Sequence, residues 1–196
     1  VSYMQIELAS GTFSFYQMIM FVFYSGIVLW REKDAKVDEL VGSTPVKNGI
    51  LFGSKFLSLL FLSLAVNLVF IFTCICIQSL KGYTNFEFGL YFTDLILLKI
   101  FTISILVALG LSTQVFFKNR YVAFFVTAFV VLGFPLILRA LNYDNGLMRF
   151  NSQGDSMSYS DMNGHGHTLP NFFMFKAYGR SLMLVVCNIA IAMYQR

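Results

Sequence analysis

Charged residues are scarce in this chain of 196 residues: Asp, Glu, Lys and Arg make up 12% of it, against roughly 25% in an ordinary soluble domain. This composition excludes intrinsic disorder, which requires low hydrophobicity and high net charge. The formal net charge is +4, but the basic residues lie in short clusters between apolar runs rather than along one basic stripe. The sequence therefore also argues against a soluble nucleic-acid-binding protein.

Cysteine is rare as well, and the three cysteines (Cys74, Cys76 and Cys187) all lie inside apolar runs. A disulfide framework or a zinc site uses polar, loop-borne cysteines at ligand spacing, so we interpret these three as packing residues. His165 and His167 are one residue apart, but no third and fourth ligand are evident near them. We therefore predict a flexible external loop there, and no metal or cofactor in this chain.

What the sequence has in abundance is apolar surface, with 57% hydrophobic and 17% aromatic residues. A bilayer core of about 30 Å needs roughly 20 apolar residues in a helix. Five runs meet that length: 12–30, 56–78, 95–117, 121–141 and 172–194. They are continuously apolar, as helices in lipid are, and do not alternate as barrel strands do. The sequence predicts an all-α, polytopic helical membrane protein, with residues 1–196 forming a single transmembrane domain.

The connections between these runs differ in basic charge, which predicts the orientation of the chain. One side holds eight basic residues, Arg31, Lys33, Lys36, Lys47, Lys55, Lys118, Arg120 and Arg196. The loops on the other side hold Lys81 and Arg149. Because basic loops stay in the cytoplasm, we expect segment 31–55 to be cytoplasmic and segment 142–171 to be an external loop. The N-terminus is then outside and the C-terminus inside.

The connection after the first run has a pattern of its own. Residues 30–41 are densely charged, yet Val37, Leu40 and Val41 are spaced for one face of a helix. A Gly-Ser-Thr stretch follows, and Pro45 suits the first position of the next helix. The pattern predicts a short amphipathic helix, a sharp turn and a membrane helix. Both a solvated loop that orients the protein and a docking element for a cytoplasmic partner fit it.

Trp30-Arg31-Glu32-Lys33-Asp34, together with Asp38-Glu39-Leu40 and Thr44-Pro45-Val46, resembles the intracellular loop of ABC-2 type transporter permeases. The stretches 82–91 and 159–164 are similar to bacterial permeases that are fused to an M1-family aminopeptidase domain. In that family the loop forms a coupling helix that docks on the ATP-binding subunit. The resemblance implies that the ATPase-coupling residues are Arg31, Glu32, Lys33, Asp34, Asp38, Glu39 and Pro45.

The resemblance also implies a function: the membrane-spanning part of an ATP-driven transporter in the bacterial inner membrane. Its partners would be an ABC ATP-binding subunit, a second permease half or a second copy, and the lipid bilayer. ATP would bind to the partner subunit, since this chain has no Gly-x-x-x-x-Gly-Lys-Ser/Thr loop. It also lacks His-Glu-x-x-His and Gly-x-Ser-x-Gly motifs, so we expect no peptidase or hydrolase activity in these residues.

An alternative is a membrane anchor or scaffold that holds a fused peptidase domain and transports nothing itself. An ATPase subunit that works with the chain would favour the transporter, whereas ATP-independent function would favour the anchor. Because the chain begins with Val1 and the family's first membrane helix has no counterpart in it, we also expect it to be a fragment of a longer polypeptide.

Four basic residues lie in the outer turns of the predicted membrane helices. Lys176 and Arg180 are four residues apart and share a helix face. Arg180 is eight residues past Phe172, roughly 12 Å along the helix, so we expect Lys176 to reach lipid headgroups and Arg180 to need a partner. Simple snorkelling and a basic outer-leaflet cluster, paired with carboxylates such as Asp94 or with an anionic substrate, both remain open. The members of this cluster would be Lys99, Arg139, Lys176 and Arg180.

The orientation can be tested with single cysteines introduced by Lys36→Cys and Ser156→Cys. On intact spheroplasts, an impermeant maleimide should label the cysteine at position 156 and spare the one at position 36, because only the outer surface is accessible. The unmodified chain controls for its three natural cysteines. Labelling at position 36 with protection at position 156 would overturn the predicted topology.

Overall fold

The fold is a bundle of long helices, seen here in a computed structural model that describes residues 9–37, 40–41, 43, 45–82, 88–142 and 169–194. Five helices in these ranges are long and apolar enough to cross a membrane, and the same ranges contain no strand. The predicted all-α, polytopic fold is confirmed. Helix α1 combines Ala9–Phe13 and Ser14–Asp34, and α2 is Asn48–Leu80. Helix α3 combines Phe88–Tyr91, Phe92–Leu98 and Lys99–Phe116. Helix α4 combines Arg120–Ala128, Phe129–Gly133 and Phe134–Ala140, and α5 is Leu169–Met193.

Helix α2 differs most from the predicted run, because it begins at Asn48 rather than at residue 56. Its 33 residues span about 50 Å at 1.5 Å per residue, which exceeds a hydrocarbon core of about 30 Å. The eight residues that precede the predicted run, 48–55, lie at the end where α1 finishes, which we call the elbow end. Lys55, expected in a loop, lies on this helix.

The start of α2 corrects the expected role of Pro45. Residues 45–47 are not helical, and Lys47 is extended with φ −68° and ψ 141°, so Pro45 does not open the helix. The Asn48 side chain instead donates a hydrogen bond of 2.9 Å to the backbone oxygen of Tyr194, just past the end of α5. A contact with a distant part of the chain thus accompanies the start of this helix.

Helix α3 lies at the centre of the bundle. It packs against α1, α2, α4 and α5, and the six consecutive residues 107–112 are all buried, so this part of the helix is enclosed on every side. Helix α2 is more peripheral and exposes large apolar side chains such as Phe61, Val69 and Phe72. Exposed apolar side chains of this kind suit contact with lipid.

Small residues bring α1 and α3 close together. A Cβ atom added to Gly110 of α3 would lie 2.8 Å from Ser25 Oγ and 3.0 Å from Ser25 Cβ. Ser25 is fully buried, and its hydroxyl donates to the Val22 carbonyl at 2.9 Å, so its position is fixed. Close backbone approach at small residues is a usual way for membrane helices to associate.

Three of the described helices, α1, α3 and α4, contain π-helical turns. In α4 the π segment Phe129–Gly133 is followed by Pro135. Proline has no N–H group, so the carbonyl four residues earlier, on Val131, loses its usual helical partner. Irregular turns of this kind adjoin prolines and functional sites in many helices. The π segment thereby separates the last segment of α4, Phe134–Ala140, from the regular helix Arg120–Ala128.

Candidate functional site

The connection formed by residues 31–47, which we call the elbow, begins with a sharp reversal that ends α1. The N–H of Val37 donates to the Glu32 carbonyl at 3.1 Å, and the N–H of Lys36 donates to the Lys33 carbonyl at 3.0 Å. Lys36 has φ 54°. These bonds define a Schellman motif with lysine where glycine is usual, a left-handed conformation that costs roughly 1–2 kcal/mol. A further backbone bond of 2.9 Å runs from the Val41 N–H to the Val37 carbonyl.

An ion pair holds this elbow to the rest of the bundle. Lys55 Nζ of α2 lies 2.8 Å from Glu32 Oε2 of α1, and it donates a second bond of 2.7 Å to the hydroxyl of Tyr194. That hydroxyl donates in turn to Glu32 Oε2 at 3.4 Å. We call these three residues the Glu32 node. It joins the ends of α1 and α5 to the first part of α2.

The node satisfies charges that would otherwise be costly to bury. The Lys55 side chain is only 7% exposed and that of Glu32 is 29% exposed, and a buried charge is stable only when it is paired. Lys55 also lies 5.2 Å from the centre of the Tyr194 ring. It was missed as a site residue, although its sequence position carries a signal: it lies three residues after Phe52 and four before Leu59, which are both buried.

A second tie links the elbow to the turn between α3 and α4. Arg120 Nη1 lies 2.6 Å from Asp34 Oδ2. Asn119 caps α4 by accepting a bond of 3.0 Å from the N–H of Tyr121. Both side chains of the ion pair are substantially exposed, at 38% and 54%, and pairs of this kind contribute about 0–1 kcal/mol. This pair therefore positions the elbow more than it stabilises the fold.

The predicted coupling residues thus divide into two groups. Glu32 and Asp34 make contacts within the chain, whereas Arg31 and Lys33 are exposed to solvent. Lys33 Nζ lies 4.7 Å from the centre of the Trp30 ring. Pro45 is exposed in the extended segment, while Asp38 and Glu39 lie outside the described residues. The assignment of all seven to ATPase coupling stays a prediction.

At the opposite end of the bundle, three of the four predicted basic residues come together. Lys99 of α3 donates a hydrogen bond to Ser14 of α1. Lys176 of α5 lies near enough to Lys99 and Arg180 for their positive charges to repel its own. Asp94 supplies a carboxylate near Lys99. The side chain of Arg139 lies outside the described residues, as do His165 and His167.

The structure reverses the expected surroundings of Lys176 and Arg180. Lys176 is only 1% exposed and lies 5.3 Å from the Phe172 ring centre, so the expectation that it reaches headgroups is wrong. Arg180 is half-buried, and its guanidinium carbon Cζ lies 3.9 Å from the centre of the Phe101 ring. The reason is rotational: Phe172, Lys176 and Met183 form the buried side of α5, and depth along the helix did not determine which side faces inward.

Membrane-length helices and an elbow with exposed charges define this protein as a multi-pass α-helical membrane protein. A family model described as ABC-2 family transporter protein matches residues 1–163. Comparison with curated proteins and with solved structures gives no significant match. The chain belongs to the ABC-2 transporter family, whose members are membrane components of transporters. The predicted family is confirmed; the fused aminopeptidase domain stays a prediction.

Removing the cation of the Glu32 node should destabilise the protein. Lys55→Met leaves the Glu32 carboxylate without its ion-pair partner, at an expected cost of about 1–3 kcal/mol. The double variant Glu32→Gln with Lys55→Met should recover most of this loss, because no charge is then left unpaired. Thermal unfolding in a mild detergent measures both effects.

The matched control for that experiment is Lys47→Met, because Lys47 is an exposed lysine eight residues earlier on the same segment. This variant should leave the midpoint of thermal unfolding unchanged. If Lys55→Met were as stable as Lys47→Met, the node would not hold the three helices together.

Proposed function

We propose that this chain is the membrane-spanning permease part of an ATP-driven transporter, in which a separate subunit binds and hydrolyses ATP. Membership of the ABC-2 family supports this role, since such permeases typically work with an ABC ATP-binding subunit. The observation that carries the proposal is the construction of the elbow. Exposed charges lie immediately beside a node that ties three membrane helices together.

In this proposal the ATP-binding subunit contacts the elbow through its exposed cations, Arg31 and Lys33. The Schellman turn fixes the elbow to α1, and the Glu32 node passes its displacement to α2 and α5. The pair between Asp34 and Arg120 adds α4. A buried bond of 3.0 Å from Trp30 Nε1 to Gln114 Oε1 connects the same end of α1 to the central helix. Motion at the elbow therefore reaches every helix of the bundle.

The remaining parts of the proposal follow from the resemblance to the family. The elbow lies on the cytoplasmic side of a bacterial inner membrane, and the permease works with a second permease half or a second copy of itself. Substrate crosses where the helices rearrange during the ATP cycle. No observation favours the alternative of a passive anchor.

Charge reversal at the exposed cations tests the docking role. Arg31→Glu with Lys33→Glu should weaken association with the ATP-binding subunit roughly tenfold, the equivalent of about 1.4 kcal/mol. Co-purification and permease-stimulated ATP hydrolysis are the measurements. These two residues give a sharper test than Glu32 or Asp34, because reversing either acid also breaks an ion pair within the chain.

Lys81→Glu is the control, since Lys81 is exposed in the turn after α2 at the other end of the bundle. It should leave association and ATP hydrolysis unchanged. Unaltered association in the elbow variant, at equal expression and thermal stability, would count against docking at these residues.

A further inference from the structure

A cleft of about 560 Å³ lies between α1, α3 and α4. No side chain that lines it carries a nitrogen or oxygen atom. Each helix contributes residues from one of its faces, Phe15 and Met18 from α1, Ile105 and Leu109 from α3, and Val131 and Pro135 from α4. The side chains of the cleft therefore suit an apolar ligand, and its volume lies in the range of about 300–1,000 Å³ that is usual for ligand sites.

Helices α1 and α4 are in close contact at one level of the bundle and line the cleft at another. A Cβ atom added to Gly26 of α1 would lie 2.4 Å from the Phe124 ring of α4, so little space separates the two helices there. Met18 lies eight residues earlier in the sequence, about 12 Å along α1, and lines the cleft. On α4 the cleft is lined by residues of the π segment Phe129–Gly133 and by Pro135. A π turn and a proline are usual causes of a kink in a helix, so the course of α4 accounts for the cleft.

The floor of the cleft is buried and its rim is exposed. Ile105 and Leu109 of the central helix α3 form the floor and are buried, whereas Phe15 of α1 and Leu136 of α4 are exposed. Each of these three helices contains a segment that is long and apolar enough to span a membrane. The rim therefore faces the hydrocarbon of the bilayer, and the cleft connects that hydrocarbon to α3.

A cleft of this size is unfavourable when it is empty. Protein interiors are close-packed, and atoms of a wall that lack neighbours on one side lose dispersion energy. Water is a poor occupant, because a buried water needs about two to four polar partners and the lining side chains provide none. The packing of Phe124 on Gly26, and a bond of 2.7 Å between the hydroxyls of Thr113 on α3 and Thr127 on α4, fix the helices beside the cleft.

A hydrocarbon chain matches the cleft in size as well as in polarity. An apolar cavity of about 150 Å³ holds one benzene molecule. At about 560 Å³, this cleft is nearly four times as large, so it has room for much of a lipid acyl chain. Such chains are the medium that surrounds its rim.

We propose that the cleft binds one acyl chain of a bilayer lipid, held between α1 and α4 and against α3. A chain in the cleft contacts protein on three sides, so it gains more dispersion contacts than a lipid that touches a single helix face. Recognition depends on the chain and not on the headgroup, because every lining side chain is apolar. The proposal requires only that these helices lie in a membrane, so it is independent of ATPase coupling.

The test uses phosphatidylcholine with a photoreactive diazirine in one acyl chain, in liposomes that contain the purified protein. After illumination, mass spectrometry of the digested protein locates the adducts. Residues 105–109 of α3 should be labelled, because lipid reaches them through the cleft. Residues 68–72 of α2, which include the exposed Val69 and Phe72, report ordinary contact with lipid. Phosphatidylglycerol with the same diazirine chain should give the same ratio of labelling between these two segments.

Filling the cleft with a larger side chain should displace the lipid chain from α3. Leu136→Trp places a ring at the rim, and Met18→Trp places one on the α1 wall. Each should reduce the labelling of residues 105–109, relative to residues 68–72, to a small fraction of its original value. Leu184→Trp is the matched control and should leave this ratio unchanged, because Leu184 is exposed on α5 and does not line the cleft. Thermal unfolding in detergent identifies the variants that are folded.

Three outcomes would overturn the proposal. Labelling of residues 68–72 without labelling of residues 105–109 in the unmodified protein would mean that the cleft is closed, or is filled by protein such as a second copy of the chain. A ratio that changes with the headgroup would mean that the headgroup is recognised and not the chain. An unchanged ratio in every folded variant with tryptophan at position 18 or 136 would mean that lipid reaches α3 by another route.

Discussion

Pairing of the Glu32 carboxylate with the Lys55 ammonium, 2.8 Å apart, is the contact on which the elbow end of the bundle depends. Lys55 is almost fully enclosed, so its charge is tolerable only while Glu32 and the Tyr194 hydroxyl remain beside it. That requirement fixes where α1 ends relative to the first turns of α2 and to the end of α5. Three segments that are distant in the sequence are therefore held in one place, next to the exposed cations.

Buried polar groups need partners inside the bundle as well. Lipid gives no hydrophobic preference for one helix neighbour over another there. Buried polar contacts mark the helix crossings instead: Gln17 with Asn67 at 3.1 Å for α1 and α2, and Thr113 with Thr127 at 2.7 Å for α3 and α4. Trp30 and Gln114 do the same for α1 and α3. Apolar surface places the helices in the membrane, and these few polar groups select which helices touch.

This division explains how far the sequence could predict the structure. The five membrane helices were predictable, because apolar length is what a bilayer demands of a helix. The start of α2 and the burial of Lys55 were not, because they depend on Tyr194, which is 139 residues away from Lys55. Lys176 was misplaced because counting residues gives depth along α5 but not rotation about its axis. Family membership was predictable from short stretches such as Trp30–Asp34, and the family model confirms it.

The central claim is that the elbow drives the bundle through the Glu32 node, and exchanging its two charges tests that claim most directly. Permease-stimulated ATP hydrolysis would be measured in liposomes for Glu32→Lys, for Lys55→Glu and for the two combined, after matching their expression. We expect each single variant to lose stimulation, and the combined variant to regain it, because the Tyr194 hydroxyl can bond to either charge. Single variants with normal stimulation, or a folded combined variant that stays inactive, would contradict the account.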